Sequence, residues 1–286
     1  MGQRIGIMQG RLTPPAGRGI QFFPFENWEQ EFHAARRLGL YEIEFIFDYE
    51  NYTDNPLWTE EGIQKIRHLQ EETGIQIRAV CFDYFMRRAF YKKEREQRQK
   101  LREENTCIIR RVIRSMEQIG IGLLEIPLVD DSSLKQEEER EAFREWLLQT
   151  AEETKGAVRF ALETDLAPAD FYQYLQTFCR PDIGANYDSG NSSGIGYDPY
   201  EEVTTLKEFI FNIHIKDRKY HGPSVTLGSG SADFERLFRG LSEIGYCRSF
   251  ILQAARGSEG DEEDTVASQT DFVRNYMEKY GIKTEV

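Results

Sequence analysis

Positive charge is scarce in this chain of 286 residues. Lysine and arginine total 36 against 49 aspartate and glutamate residues, so the formal net charge is −13. Proteins that bind nucleic acids or anionic membrane surfaces need a net or clustered positive charge. We therefore expect neither a nucleic-acid partner nor a membrane partner.

Long apolar runs and closely spaced cysteines are also missing. The longest apolar stretch runs from Ile119 to Val129 and is interrupted by Glu125 and Pro127, so it is too short and too polar to span a bilayer. The N-terminal sequence MGQRIGIMQG lacks the cationic and apolar regions of a signal peptide. The four cysteines form no CxxC pair, which excludes a cysteine-based zinc site. These features predict a reduced, cytoplasmic protein.

What the chain does contain is a regular alternation of short β-rich runs and longer amphipathic runs. The predicted strands cover residues 4–8, 41–47, 76–82, 122–127, 157–163, 182–188, 211–216 and 249–253. The predicted helices cover residues 27–38, 59–73, 92–119, 135–154, 168–178, 199–208, 232–244 and 264–280. Strands and helices that alternate eight times are typical of an α/β protein with a (β/α)8 barrel.

The same pattern predicts a single TIM-barrel domain over residues 1–286, because no Pro/Ser-rich linker divides the chain. An open doubly wound sheet is the rival fold. The sequence after the first predicted strand is GRLTPPAGRG, which lacks the glycine fingerprint of a dinucleotide-binding sheet.

Polar residues recur where the predicted strands end, which is where barrels carry their chemistry. The two-residue period of a strand places Glu163, His214 and Gln253 on inward faces, and Asp188 ends the sixth strand. Oxygen and imidazole ligands without a thiolate suit Mn²⁺, Mg²⁺, Co²⁺ or Zn²⁺. Each residue alone would fit a capping or core role, but the convergence of all four predicts one divalent-metal site.

A second group of residues predicts anion binding. Gly228, Ser229 and Gly230 belong to a GSGS loop just before a predicted helix, and such a loop can hold a phosphate with its backbone amides. Lys216, Arg218 and Arg256 lie in or beside the loops after strands seven and eight: this is where phosphate sites of such barrels occur. The alternative is a flexible loop whose glycines only serve turn geometry.

Four segments resemble the xylose isomerase-like TIM-barrel superfamily: LETD around Glu163, NYDSGN around Asp188, HIKDR around His214, and VTLGSGSADF. This group of sugar-phosphate isomerases and epimerases includes ketose 3-epimerases, inosose dehydratase and endonuclease IV. The resemblance implies one divalent metal ion, usually Mn²⁺ in the epimerases, held by Glu, Asp, His and a second Glu. Carried over by position, the first three ligands are Glu163, Asp188 and His214. The fourth position falls on Gln253, which departs from the epimerase pattern.

This departure affects the expected chemistry. A glutamine can coordinate a metal through its carbonyl oxygen, but it cannot serve as a general base. We therefore expect proton transfer to rely on Glu163, with Lys216 or Glu125 as the second proton carrier. The leading expectation is a metal-dependent isomerase or epimerase of a sugar or sugar phosphate that works through an enediolate. A homo-oligomer is compatible with the sequence.

Three alternatives stay open at this stage. A dehydratase of an inosose or dehydroshikimate-like substrate would begin with a similar proton abstraction but release water. A non-catalytic sugar-binding barrel is suggested by Gln253. An endonuclease IV-like nuclease would need several metals, a basic DNA face and more than the four histidines present.

Overall fold

The computed structural model describes residues 4–15 and 17–284, and its central feature is a closed barrel of parallel strands. The barrel strands are β1 (Ile5–Met8), β2 (Glu42–Ile46), β3 (Ala79–Cys81), β4 (Leu123–Leu128), β5 (Arg159–Thr164), β6 (Ile183–Asp188), β7 (Ile210–Ile215) and β10 (Phe250–Leu252). Their order around the barrel is β1-β10-β7-β6-β5-β4-β3-β2. The predicted (β/α)8 barrel is therefore confirmed.

Helices follow the strands along the chain as the apolar periodicity predicts. They are α1 (Trp28–Arg37), α2 (Glu60–Thr73), α3 (Arg95–Ile119), α4 (Glu137–Thr154), α5 (Pro168–Phe178), α6 (Ser189–Ile195), α7 (Pro199–Leu206), α8 (Phe234–Glu243) and α9 (Glu262–Lys279). Within residues 4–15 and 17–284, no helix combines the length and the apolar character needed to cross a membrane.

A helix and a hairpin that the sequence pattern does not predict follow β6 and β7. Helix α6 follows β6 directly, and the Asp188 side chain caps it by accepting hydrogen bonds from the amides of Gly190 and Asn191. Its sequence SGNSSGI is rich in glycine and serine, which are weak helix formers, so periodicity could not reveal it. A two-stranded hairpin of β8 (Asp217–Arg218) and β9 (Ser224–Val225) follows β7.

The barrel interior changes character from one end to the other. Towards the N-terminal ends of the strands, Ala79, Leu123 and Ala161 form a small apolar cluster with Phe211. Two residues further along the same strands, on the same inward faces, the side chains are ionisable: Cys81, Glu125 and Glu163. The apolar cluster therefore forms a floor beneath a polar barrel mouth.

Candidate active site

Three ionisable side chains meet at the C-terminal ends of neighbouring strands. Glu163 lies near the end of β5, Asp188 ends β6 and His214 lies near the end of β7. One candidate ligand atom from each residue lies within 4.8 Å of the other two, and all three side chains are buried. The structure thus brings together the Glu–Asp–His set that the sequence singled out.

His214 is held on both sides by carboxylates. Its Nε2 lies 3.0 Å from Oε1 of Glu44, and its Nδ1 lies 3.2 Å from Oε2 of Glu163. Burial acts to lower the pKa of His214, but these carboxylates outweigh it and raise that pKa well above its usual value. The other oxygen of Glu44 accepts a hydrogen bond from Nδ2 of Asn212 at 2.7 Å, so Glu44 has a fixed orientation.

Two asparagines hold the carboxylate of Glu163. Nδ2 of Asn186 donates to Oε2 at 2.6 Å, and Nδ2 of Asn191 donates to Oε1 at 2.6 Å. Burial acts to raise the pKa of Glu163, but hydrogen bonding and the charge of His214 lower it overall. Sequence analysis did not single out these asparagines. The strand period could have found Asn186, whereas Asn191 reaches the site only through the unpredicted helix α6.

Lys216 links the ends of three strands. Its Nζ lies 3.3 Å from Oδ2 of Asp188, 3.3 Å from Oδ1 of Asn191 and 3.1 Å from Oε1 of Gln253. The other carboxylate oxygen of Asp188, Oδ1, accepts hydrogen bonds from the backbone amides of Gly190 and Asn191 at the start of α6. Asp188 is therefore fixed by a helix terminus on one side and an ammonium group on the other.

Both ends of the Gln253 side-chain amide are engaged. Its Oε1 accepts from Lys216, and its Nε2 donates to Oε1 of Gln21 at 2.9 Å. Nε2 of Gln21 in turn donates to Oδ2 of Asp83 at 2.7 Å. A glutamate at position 253 could accept from Lys216 but has no hydrogen for Gln21 when ionised. The chain of hydrogen bonds from Lys216 to Asp83 therefore favours glutamine at this position.

The donor set fits a divalent cation. Two carboxylates, one imidazole and one amide oxygen offer hard and borderline ligands without a thiolate. A metal-bound histidine usually donates its other ring N–H to a carboxylate, and Glu44 provides that acceptor at Nε2 of His214. A metal would then bind at Nδ1, which lies 3.2 Å from Oε2 of Glu163 and 3.0 Å from Nδ2 of Asn186, once this nitrogen has lost its proton. Glu163, Asp188 and His214 could hold it, and the amide oxygen of Gln253, which accepts from Lys216, is a candidate fourth ligand.

A cavity of about 490 Å³ adjoins this cluster and contains a second glutamate. Glu125 is fully buried beside the Cys81 thiol, and apart from that thiol neither of its carboxylate oxygens has a hydrogen-bond partner among the described residues. Burial and the nearby charge of Glu163 raise the pKa of Glu125 well above its usual value. One cavity therefore holds a glutamate that favours the ionised form, Glu163, and one that favours the protonated form, Glu125. Such a pair is suited to acid–base catalysis.

The GSGS loop binds a different anion from the one that the sequence predicts. The backbone amides of Gly228 and Gly230 donate to Oδ2 of Asp217 at 2.9 and 2.8 Å. A Cβ atom at Gly230 would lie 2.1 Å from Oδ1 of Asp217, so this close wrapping requires glycine. Ser229 instead closes a turn onto the carbonyl of Thr226. The amides predicted to hold a phosphate are thus already used by a carboxylate of the chain.

The predicted anion-binding side chains separate into two groups. Arg256 donates to the backbone carbonyls of Thr13, at 2.9 Å, and Gly10, and its guanidinium lies 4.8 Å from the Phe22 ring centroid, so it fastens the first βα loop. Lys216 and Arg218 line the cavity. Arg218 donates from Nη1 to Oδ1 of Asn191 at 3.1 Å and from Nε and Nη2 to the Gly222 carbonyl at 3.1 Å.

Sequence comparison identifies the family. The model of the xylose isomerase-like TIM barrel family matches residues 32–276. The chain belongs to this family. The resemblance inferred from the LETD, NYDSGN and HIKDR segments is confirmed.

Similar proteins cover almost the whole chain. The L-ribulose-5-phosphate 3-epimerase UlaE of Escherichia coli O1:K1 is 26% identical over 290 residues, which cover 97% of this chain and 96% of that protein. The solved structure of an L-ribulose 3-epimerase matches with a TM-score of 0.75 at 17% identity, covering 98% of this chain and 96% of the other. The IolI protein, solved with a bound zinc atom, matches with a TM-score of 0.74 at 16% identity, covering 97% and 99%. At these identities the two structures support the xylose isomerase-like fold.

Proposed function

We propose that this protein is a divalent-metal-dependent isomerase or epimerase that acts on a sugar or sugar phosphate by enediolate proton transfer. The observation that carries the proposal is the meeting of Glu163, Asp188 and His214 beside a cavity that also contains Glu125. The name of the sequence relative, an L-ribulose-5-phosphate 3-epimerase, supports the same reaction class.

The metal in this proposal is Mn²⁺, with Mg²⁺, Co²⁺ and Zn²⁺ as alternatives that the same donors accept. Glu163, Asp188, His214 and the amide oxygen of Gln253 would hold it. When bound, the ion supplies Lewis-acid polarisation of the substrate's carbonyl and hydroxyl oxygens. The IolI structure, which contains zinc, supports a divalent metal in a barrel of this fold.

Glu163 and Glu125 divide the proton transfer in this proposal. Glu163 is the base that takes the proton from the substrate carbon, because its pKa is lowered. Glu125 is the acid that returns a proton to carbon, since it lines the cavity and its raised pKa favours the protonated form. Lys216 is already held by three oxygens, so we give it the role of positioning Asp188 and Gln253.

Arginine side chains in the cavity support a phosphorylated substrate. Arg218 and Arg87 both line it, and a guanidinium can bind a phosphate through two parallel hydrogen bonds. This assignment replaces the backbone amides of Gly228 and Gly230, which Asp217 occupies.

Two measurements test the proposal. The purified protein should bind Mn²⁺ with a stoichiometry of one per chain, and Asp188→Ala should lose that binding while keeping its circular dichroism spectrum. In D₂O with Mn²⁺, the protein should exchange a carbon-bound proton of a ketose phosphate and form its isomer or epimer. An unsaturated product would instead show a dehydratase. Sugar binding without exchange or turnover would show a non-catalytic barrel.

A further inference from the structure

The opposite end of the barrel contains a second cavity, of about 480 Å³. Its walls come from residues that precede or begin the strands, so it lies at the N-terminal end of the barrel, away from the Glu163 cluster. Two of its residues, Glu42 and Arg159, come two positions before the inward-facing Glu44 and Ala161. The cavity therefore extends into the barrel from this end.

Four arginines line this cavity, and within residues 4–15 and 17–284 none of them forms an ion pair with a carboxylate: Arg4, Arg78, Arg159 and Arg248. Such a group is unexpected in this chain, where acidic residues outnumber basic ones by 49 to 36. Arginines elsewhere do find carboxylates, as Arg37 does with Glu263 and Arg180 does with Asp182.

The arginines are arranged in pairs over two aromatic rings. The guanidinium groups of Arg159 and Arg248 lie 4.9 and 5.3 Å from the ring centroid of Phe211. Burial, followed by the charge of Arg248, lowers the pKa of Arg159. On the other ring, that of Tyr41, the guanidinium groups of Arg4 and Arg78 lie at 5.1 and 5.3 Å. Two like charges on one ring repel each other, and a bound anion would remove that repulsion.

Two buried polar atoms of the cavity-lining residues have no hydrogen-bond partner among the described residues. They are Nε of Arg4 and Oε1 of Glu42. Glu42 is only 2% exposed, and burial raises its pKa to about 7. Below that pH its carboxyl group is mostly protonated and can donate a hydrogen bond to an anionic oxygen. A hydrogen bond with Ser249 and the charges of Arg78 and Arg4 act to lower the pKa of Glu42, and the charge of Glu44 acts to raise it. In mildly acidic solution Glu42 is therefore mostly uncharged and does not oppose a bound anion.

We propose that this cavity is a binding site for a phosphate-bearing anion of the diphosphate class, held by Arg4, Arg78, Arg159 and Arg248. Guanidinium groups match phosphate oxygens in charge and geometry, and two arginine pairs suit two phosphoryl groups. The cavity volume lies in the range of small-molecule sites, roughly 300–1,000 Å³. Since the chemistry of these barrels occurs at the C-terminal ends of the strands, the anion would be a ligand and not the substrate. The proposal is independent of the proposed function.

Calorimetric titration of the full chain with pyrophosphate at pH 6.5 and fixed ionic strength tests the site. We expect saturable binding of one pyrophosphate per chain and a rise in Tm with pyrophosphate concentration. Arg159→Gln/Arg248→Gln should weaken binding at least tenfold. Arg78→Gln, a change at an exposed side chain, should also weaken it and serves as a second variant if the double variant folds poorly.

The chain offers a matched control. Arg236 and Arg239 also share one ring, each 5.4 Å from the Tyr200 centroid, but each is paired with a carboxylate: Asp198 and Glu243 respectively. Arg236→Gln/Arg239→Gln should leave pyrophosphate binding unchanged.

Three results would overturn the site: no binding by the unaltered protein, equal losses in the two double variants, or citrate binding as tightly as pyrophosphate. Titration with ADP distinguishes two ligands that both carry a diphosphate group, a nucleoside diphosphate and free diphosphate. Tighter binding of ADP than of pyrophosphate supports a nucleoside diphosphate as the ligand, and weaker binding supports a free diphosphate.

Discussion

The two ends of the barrel treat charged side chains in opposite ways. At the C-terminal end, the chain provides the partners of Glu163, Asp188 and His214 through asparagines, a lysine, backbone amides and Glu44. At the N-terminal end, four arginines face a cavity without a carboxylate partner among the described residues. At the C-terminal end, hydrogen bonds from the protein itself keep the charged side chains in a fixed mutual geometry. At the N-terminal end the protein provides no such carboxylate, so the charge that balances the arginines must come from solvent or from a ligand.

Two buried glutamates make this comparison testable. Glu125 and Glu42 both occupy inward positions in the barrel, and burial raises the pKa of both. Glu125 lines the cavity at the mouth, whereas Glu42 lines the cavity at the other end. If the two ends of the barrel have different roles, removing the carboxyl group of Glu125 should affect catalysis. Removing the carboxyl group of Glu42 should instead affect how stability depends on pH.

Glu125→Gln should have the largest effect. If Glu125 returns the proton to carbon, the rate of product formation should fall by roughly 10²–10⁴, the usual contribution of a positioned acid or base. Glu163 would still remove the proton, so exchange of substrate hydrogen with D₂O should continue without product, and Mn²⁺ content should be unchanged. Glu42→Gln is the matched control and should keep full turnover. Equal turnover in both variants would remove Glu125 from the mechanism.

Glu42→Gln should instead change how stability depends on pH. The pKa of Glu42 is raised from 4.5 to about 7 in the folded protein, so its contribution to stability is complete below pH 4.5 and is lost as the pH rises to about 7. At about 1.4 kcal/mol per pKa unit, the loss amounts to at most about 3.5 kcal/mol. The pKa values of Glu31 and Glu202 are also raised to about 7, so both residues add to the loss of stability that the unaltered protein shows as the pH rises. Urea unfolding at pH 5 and pH 8 should show a smaller decline in the variant, and an identical decline would contradict this account.

Glu44→Gln should weaken metal binding without removing a ligand. The amide can still accept from Nε2 of His214, but its NH₂ group would face the donor Nδ2 of Asn212, so the orientation of the imidazole would be less well held. Loss of such a supporting carboxylate typically costs about 10–100-fold in metal affinity. Competition with a metal chelator measures it. Glu42→Gln, two residues earlier on the same inward face, should bind Mn²⁺ as the unaltered protein does.

The fold was largely predictable because its signals are local. Each predicted strand overlaps a barrel strand, and the apolar residues of the helices recur every three to four positions along the sequence. The third strand shows the limit: residues 76–82 are β-rich, but the regular strand is Ala79–Cys81, with Gln76 joined to the sheet only by an isolated bridge to Glu42. Periodicity does not predict helix α6, because its composition is that of a weak helix former and only the Asp188 cap marks where it begins.

The site was predictable only in its central residues. Strand period and order pointed to Glu163 and His214, because both lie on regular strands. The partners Gln21 and Asp83 come from loops far away in sequence, and no spacing rule connects them to Gln253. The sequence predicts an external phosphate at the GSGS loop because a glycine loop indicates that an anion binds there, but not that the anion is Asp217 of the same chain.

Arg256→Ala should have the smallest effect on catalysis and tests whether this arginine binds the substrate or holds the first βα loop. Its hydrogen bonds go to backbone carbonyls of the first βα loop, so we expect a loss of about 1–2 kcal/mol in the free energy of unfolding, measured in urea. KM values for a phosphorylated substrate and its unphosphorylated analogue should change by the same factor. Arg218→Ala is the comparison, because Arg218 lines the cavity: it should weaken binding of the phosphorylated substrate selectively, by about 1.5–3 kcal/mol. If Arg256→Ala instead weakened binding of the phosphorylated substrate selectively, Arg256 would be a phosphate-binding residue, and its contacts with the first βα loop would not be its main role.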